Sequence, residues 1–149
     1  MRVRLHLAAL GLLLLGAAAG PAADLARVKS ESNLEKRSKL ALEHAQRALK
    51  DARSAYEKGD HARLQQLIGE IRESVDLAEA SLEQTGKDPR RRPKWFKRAE
   101  IATRDLLRKL DAFQQEMSVT DRELLEPLES RIQEVHDDLL RGIMEGKRK

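Results

Sequence analysis

The chain contains no cysteine. That excludes disulfides, thiolate metal sites, cysteine nucleophiles and lipid attachment at a lipobox cysteine. It does not exclude an oxidising compartment, because a helical protein with an adequate core needs no disulfide. Aromatic residues are nearly absent as well: Tyr56, Trp95, Phe96 and Phe113 make up 3% of 149 residues, while charged residues make up 36%. This balance argues against a β-sandwich core and for helices with solvated faces. The length leaves room for one domain.

Chemical signatures are missing too. There is no Walker loop, no Gly-x-Gly-x-x-Gly and no Gly-x-Ser-x-Gly. There is no Cys-x-x-Cys-His for haem, and no Glu-x-x-His pair of the kind that builds di-iron sites in bundles. Of the four histidines, His6 lies in the N-terminal segment and His61 in an expected turn. His44 and His136 have no carboxylate or second histidine at their ±3 and ±4 positions, so they read as core-boundary residues. Glu134 with Asp137 or Asp138 could do acid–base work, but on so charged a helix they read as a solvated face. The expectation is a non-enzymatic protein with no cofactor and no metal.

What is present begins with an export signal. Arg2 and Arg4 precede an uninterrupted apolar run, Leu7 to Ala19, and small residues follow at Gly20-Pro-Ala-Ala23. This is the order of a secretory signal peptide. The run is short for a membrane span, which needs about 20 residues. The reading is a leader over 1–23, cut after Ala22 or Ala23, and a periplasmic or extracellular protein. An uncleaved N-terminal anchor is the alternative. Removing the leader leaves 27 bases and 25 acids, a net charge of +2.

Helical periodicity covers almost all of 24–149. Ser32-x-x-Glu35 reads as a capping box before a stripe of Leu34, Ala41, Ala45, Ala48, Leu49, Ala52 and Tyr56. Gly59 and Asp60 read as a left-handed stop and the next N-cap. A second stripe follows with Leu64, Leu67, Ile68, Ile71, Val75, Ala78 and Leu82, closed by Gly86. Pro93 suits the first turn of a third helix carrying Trp95, Ala99, Ala102, Leu106, Leu110, Phe113 and Met117. Thr120-x-x-Glu123 reads as another capping box, with Val119 and Leu124 as a staple. The fourth stripe is Leu125, Leu128, Ile132, Val135, Leu139 and Ile143. Pro127 either kinks that helix or marks its start. The expected i,i+4 pairs are Glu35/Lys39, Glu43/Arg47, Glu100/Arg104 and Asp105/Lys109.

The two halves match without a gap at an offset of 61 residues: Ala41/Ala102, Leu49/Leu110, Asp60/Asp121, Leu64/Leu125, Leu67/Leu128 and Ile71/Ile132 are identical. The expected fold is therefore all-α, four long helices in two tandem, duplicated αα-hairpins forming an antiparallel four-helix bundle. Hairpin one covers about 32–86, a basic proline-containing linker 87–93, hairpin two about 94–145, and a basic tail 146–149. A side-by-side stack of the two hairpins is the competing arrangement.

Two short stretches resemble known families. Ala55–Leu64, AYEKGDHARL, resembles the helix junction of tetratricopeptide repeats, whose period is 34 residues. Val119–Leu128, VTDRELLEPL, resembles the Leu-Thr-x-x-Gln motif of small periplasmic stress chaperones, with Val119 and Glu123 at the leucine and glutamine positions. The second resemblance implies a helical envelope chaperone. Neither stretch exceeds ten residues, and neither assigns the chain to a family.

The segment 86–98, GKDPRRRPKWFKR, stands apart. Residues 87–98 hold seven bases and one acid, a local charge of +6, so the rest of the chain after the leader sums to −4. One reading is a stiff connector, with Trp95 and Phe96 closing the bundle end. The other is an anion-binding surface of Lys87, Arg90, Arg91, Arg92, Lys94 and Trp95, suited to an envelope polyanion or a peripheral contact with an anionic membrane. Nucleic acid fits the charge but not the export signal. An unknown protein partner is the third class. The alanine stripe of the first helix also suits homodimerisation.

Overall fold

The computed structural model describes residues 21–146. The leader reading over 1–23 lies outside them except for residues 21–23, which begin the first helix, and the tail read over 146–149 lies outside them except for Gly146. Five α-helices make the fold: α1 (Pro21–Lys29), α2 (Leu34–Glu57), α3 (His61–Gln84), α4 (Lys94–Glu116) and α5 (Glu126–Glu145), with a 3₁₀ turn at Asp121–Leu124 before α5. No strand occurs among the described residues. The four long helices pack into a bundle, and α2 at 24 residues is about 36 Å long.

Within each hairpin the helices are antiparallel. Across the hairpins, like lies beside like. Gln46 meets Asp105, Arg53 meets Glu116 and Tyr56 meets Asp121, so α2 and α4 run parallel in near register. α3 lies against α5 through Arg131, which reaches Asp76 and Glu79. The bundle is therefore two antiparallel hairpins laid side by side.

The expected stripes form the core. Ala41, Ala45, Ala52, Leu64, Leu67, Ile71, Val75, Leu110, Leu125 and Ile132 have no exposed surface. Pairs 61 apart are buried alike at Leu64/Leu125, Leu67/Leu128 and Ile71/Ile132. α1 was not expected. Leu25 and Val28 anchor it on α2 and α3, and Lys29 pairs with Glu73.

Helix ends depart from the sequence reading in instructive ways. Asn33, not Ser32, caps α2, its Oδ1 accepting from Lys36 N at 2.9 Å. Gly59 has φ +70° and Asp60 caps α3 through Arg63 N, as expected. Pro93 sits one residue before α4, where it provides no side-chain cap. Thr120 caps nothing, and Val119 is 78% exposed, so the staple to Leu124 does not form. Instead Tyr56 fixes this turn: its hydroxyl donates to Asp121 Oδ2 at 3.0 Å and accepts from Ser118 N at 2.9 Å. The Ser118 and Tyr56 hydroxyls together hold the Asp121 carboxyl below its ordinary range. Pro127 lies in the first turn of α5, where its missing N–H removes no helical bond. Of the expected i,i+4 pairs, Glu100–Arg104 and Asp105–Lys109 form. Glu35 turns instead to Lys87, and Glu43 pairs with Lys39.

Candidate functional site

The basic loop is ordered from beneath. Thr85 Oγ1 donates to Leu82 O and accepts from Lys87 N. Asp88 then builds an Asx turn, its Oδ1 accepting from Arg90 N at 2.9 Å while its carbonyl accepts from Arg92 N at 2.9 Å. The turn rests on the end of α5. Pro89 crosses Gly142 so closely that a Cβ there would stand 3.2 Å from Pro89 Cγ. One acid and one proline thus hold the tip in place, and Arg90, Arg91 and Arg92 are left pointing into solvent.

The six residues singled out from the sequence divide into four groups. Lys87 is committed to Glu35 on α2 at 2.5 Å. Arg91 stands 4.0 Å from Asp88, a weak and exposed contact. Arg90, Arg92 and Lys94 are exposed and have no carboxylate partner among the described residues. Trp95 is half-buried against the core, while Phe96 is buried. Lys94 Nζ lies 5.6 Å and the Arg98 guanidinium 5.1 Å from the Trp95 ring centroid. Arg98 also lies 61 residues after an identical residue, Arg37, but the two differ in the fold: Arg37 bonds Ser81 and Gln84 on α3, whereas Arg98 stays exposed beside the indole.

These cations sit at the start of α4, which has no side-chain cap and no acid in its first turn. Helix N-termini favour negative charge, and cations there cost about 0.3–1 kcal/mol each. Lys94 and Lys97 therefore oppose their own helix.

A groove between α2 and α4 opens beside this cluster. Its volume is about 540 Å³, and Leu42, Ala99 and Ala102 lie along it, with Trp95 at one end and Ile101, 54% exposed, at its edge. Small side chains on both helices keep it open. The far end is crossed by a polar bridge: Gln46 Nε2 donates to Asp105 Oδ2 at 3.2 Å, and Lys109 Nζ donates to Gln46 Oε1 at 2.7 Å. Hydrogen bonds from Lys109 and Arg108 hold the Asp105 carboxyl below its ordinary range.

Three other charged groups were not legible locally. His44 and Glu70 are both buried, with Nε2 3.6 Å from Oε2, and none of their four side-chain polar atoms has a hydrogen bond. Arg63 approaches Glu70 at 3.8 Å. His136 Nδ1 lies 3.2 Å from Thr103 Oγ1, and its Nε2 3.9 Å from Glu100. Arg131 gathers Asp76, Glu79 and Glu134. Burial works against the Arg131 charge, but these carboxylates outweigh it and bind its proton more firmly. Burial also raises the Glu79 carboxyl, and Arg131 only partly offsets that. His44 meets Glu70, His136 meets Glu100, and Arg131 meets Asp76 and Glu79 across neighbouring helices, so no i,i+3 or i,i+4 pattern announces these contacts; only Glu134 lies at i,i+3 from Arg131 on α5 itself. No group of three or more metal-ligating side chains occurs among the described residues. The scan of protein-family models, the search of curated proteins and the search of solved structures return no match to the chain.

Proposed function

We propose that this protein is an exported, non-enzymatic helical interaction module that contacts anionic surfaces through the loop 87–95. The observation that carries the reading is the set of unmatched cations. Arg90, Arg92 and Lys94 are solvent-facing, lack carboxylate partners among the described residues, and stand at a helix start that favours anions. A local rule broken without compensation inside the fold is where function is expected. An anionic surface relieves the repulsion among these charges and satisfies the uncapped helix start at once.

The arrangement also resembles an interfacial anchor. Trp95 stands beside the cations with its ring only partly packed on the core. An indole of this kind sits well at a headgroup boundary. No helix among the described residues is long and apolar enough to cross a membrane. Export rests on the N-terminal pattern of charge, apolar run and small residues.

Co-sedimentation of residues 24–149 with vesicles tests the reading. Binding to vesicles rich in anionic lipid is expected, with none to neutral vesicles, and it should weaken with salt. A soluble polyphosphate should compete. Equal, salt-insensitive sedimentation with both vesicle types would remove the anion reading and leave the loop as a solvated crossing between hairpins.

A further inference from the structure

The α2–α4 groove has a polarity gradient of its own. At its mouth stands Arg98, and Lys94 lies just beyond the lining, 5.6 Å from the centroid of the Trp95 ring that ends the groove; both are exposed and neither is matched by a carboxylate among the described residues. The carboxylates nearer by are already committed, Glu35 to Lys87 and Glu43 to Lys39. Along the trench lie Leu42, Ala99 and Ala102. At the far end the Gln46–Asp105–Lys109 bridge closes it with matched charge. From Trp95 to Asp105 the trench runs ten residues along α4, about 15 Å. Its volume of about 540 Å³ falls within the roughly 300–1,000 Å³ usual for small-molecule sites.

A ligand complementary to this surface has one anionic end and one slender apolar end. We propose that the groove binds a single-chain anionic amphiphile, a medium-length fatty acid, with its carboxylate at Lys94 and Arg98 and its chain over Leu42, Ala99 and Ala102. A flat lipid surface does not reach the trench floor, whereas a monomeric acyl chain does. An amphipathic helix is wider, about 10 Å across with side chains, and would need acids along its length, where the trench offers matched charge. The inference shares Lys94 and Trp95 with the function proposed above, but it stands on the trench rather than on the arginine tip.

The test uses laurate below its micellar concentration and residues 24–149. Trp95 is the only tryptophan, and it reports from the mouth of the groove. A saturable change in its fluorescence is expected, with one equivalent by calorimetry. Lys94→Gln/Arg98→Gln should weaken binding by roughly tenfold or more, the worth of one charge-assisted hydrogen bond. Ala102→Leu fills the trench and should abolish binding. Should that variant misfold by circular dichroism, Ile101→Glu at the exposed rim serves instead, repelling the carboxylate and weakening binding. Dodecanol, of equal chain length without the charge, should bind more weakly by a similar factor.

Several results would overturn the proposal: no saturable laurate signal, dodecanol binding as tightly as laurate, or affinity unchanged in both the trench-filling and rim variants. Saturable binding of an acidic amphipathic peptide with no laurate binding would reassign the groove to a helical partner. The two proposals separate cleanly. Arg90→Gln/Arg91→Gln/Arg92→Gln should lose vesicle binding and keep laurate binding, and Ile101→Glu the reverse. Laurate binding without any vesicle binding would sink the surface reading alone.

Discussion

Replacing His44 or Glu70 singly should harm the protein far more than replacing both. Glu70 is 8% exposed and His44 2%. Neither carboxylate oxygen and neither ring nitrogen has a hydrogen bond, and the nearest basic nitrogens to the carboxylate, from His44 and Arg63, stand at 3.6 and 3.8 Å. The pair is thus compensated by proximity alone. His44→Leu leaves the carboxylate buried beside Arg63 only, and breaking a buried pair in this way costs about 3–5 kcal/mol. Glu70→Met leaves an imidazole with both nitrogens unsatisfied, at a cost of about 1–3 kcal/mol. His44→Leu/Glu70→Met removes every orphaned atom and adds apolar contact between α2 and α3. Such replacements are neutral or stabilising by about 1–4 kcal/mol. Urea unfolding of the four proteins, followed by circular dichroism, gives the cycle. The single variants should unfold earlier than wild type, and the double variant at the same urea concentration or later. If His44→Leu costs less than about 0.5 kcal/mol, the range of ordinary surface changes, the carboxylate is not buried against His44 as described. A double variant as poor as the sum of the singles would mean that the two side chains do not interact.

Three further outcomes are expected. The native protein should have an intact mass that starts near Ala23 or Asp24; recovery of all 149 residues from a membrane fraction would indicate an anchor. Asp105→Asn should be destabilising near neutral pH and close to neutral in acid. The Lys109 and Arg108 hydrogen bonds depress the Asp105 carboxyl below its ordinary value of 3.8. Its contribution is therefore complete above that value and is lost as pH falls through the lower folded-state value; a gap between wild type and variant that widened in acid would contradict the assignment. Changing Arg90, Arg91, Arg92 and Lys94 together to Gln should leave the unfolding midpoint nearly unchanged, since all four are exposed. Vesicle affinity should fall by roughly a thousandfold, at about 1 kcal/mol per cation near an anionic surface; a drop of less than about tenfold, 1.4 kcal/mol, would mean that the arginine tip is not the contact.

The stripes were legible because each is a long 3.6-period pattern that packing alone can satisfy. Asp60 and Gly59 were legible because a three-residue turn leaves few choices of cap and stop. The second turn was not. The sequence Ser118-Val-Thr-Asp121 holds several candidate caps, and Tyr56, 62 residues before Ser118, selects among them. α1 escaped notice because two turns with Leu25 and Val28 carry too little periodicity to stand out after an expected cleavage point. The loop was conspicuous from composition, yet composition could not say that Glu35 neutralises Lys87 or that Asp88 and Gly142 fix the arginine tip. The groove was invisible for a stronger reason. It exists because α2 and α4 are parallel neighbours, and a hairpin bundle with the other neighbour order would have buried the same alanines elsewhere.

Amide hydrogen exchange across residues 24–149, with and without anionic vesicles, tests the central claim most directly, because it locates the contact without altering the protein. The account predicts slower exchange at 87–95 and in the first turn of α4, reversed by salt and absent with neutral vesicles. Protection centred instead on the outer face of α5, where Leu140 and Met144 are exposed, or no change at the loop despite binding, would contradict it.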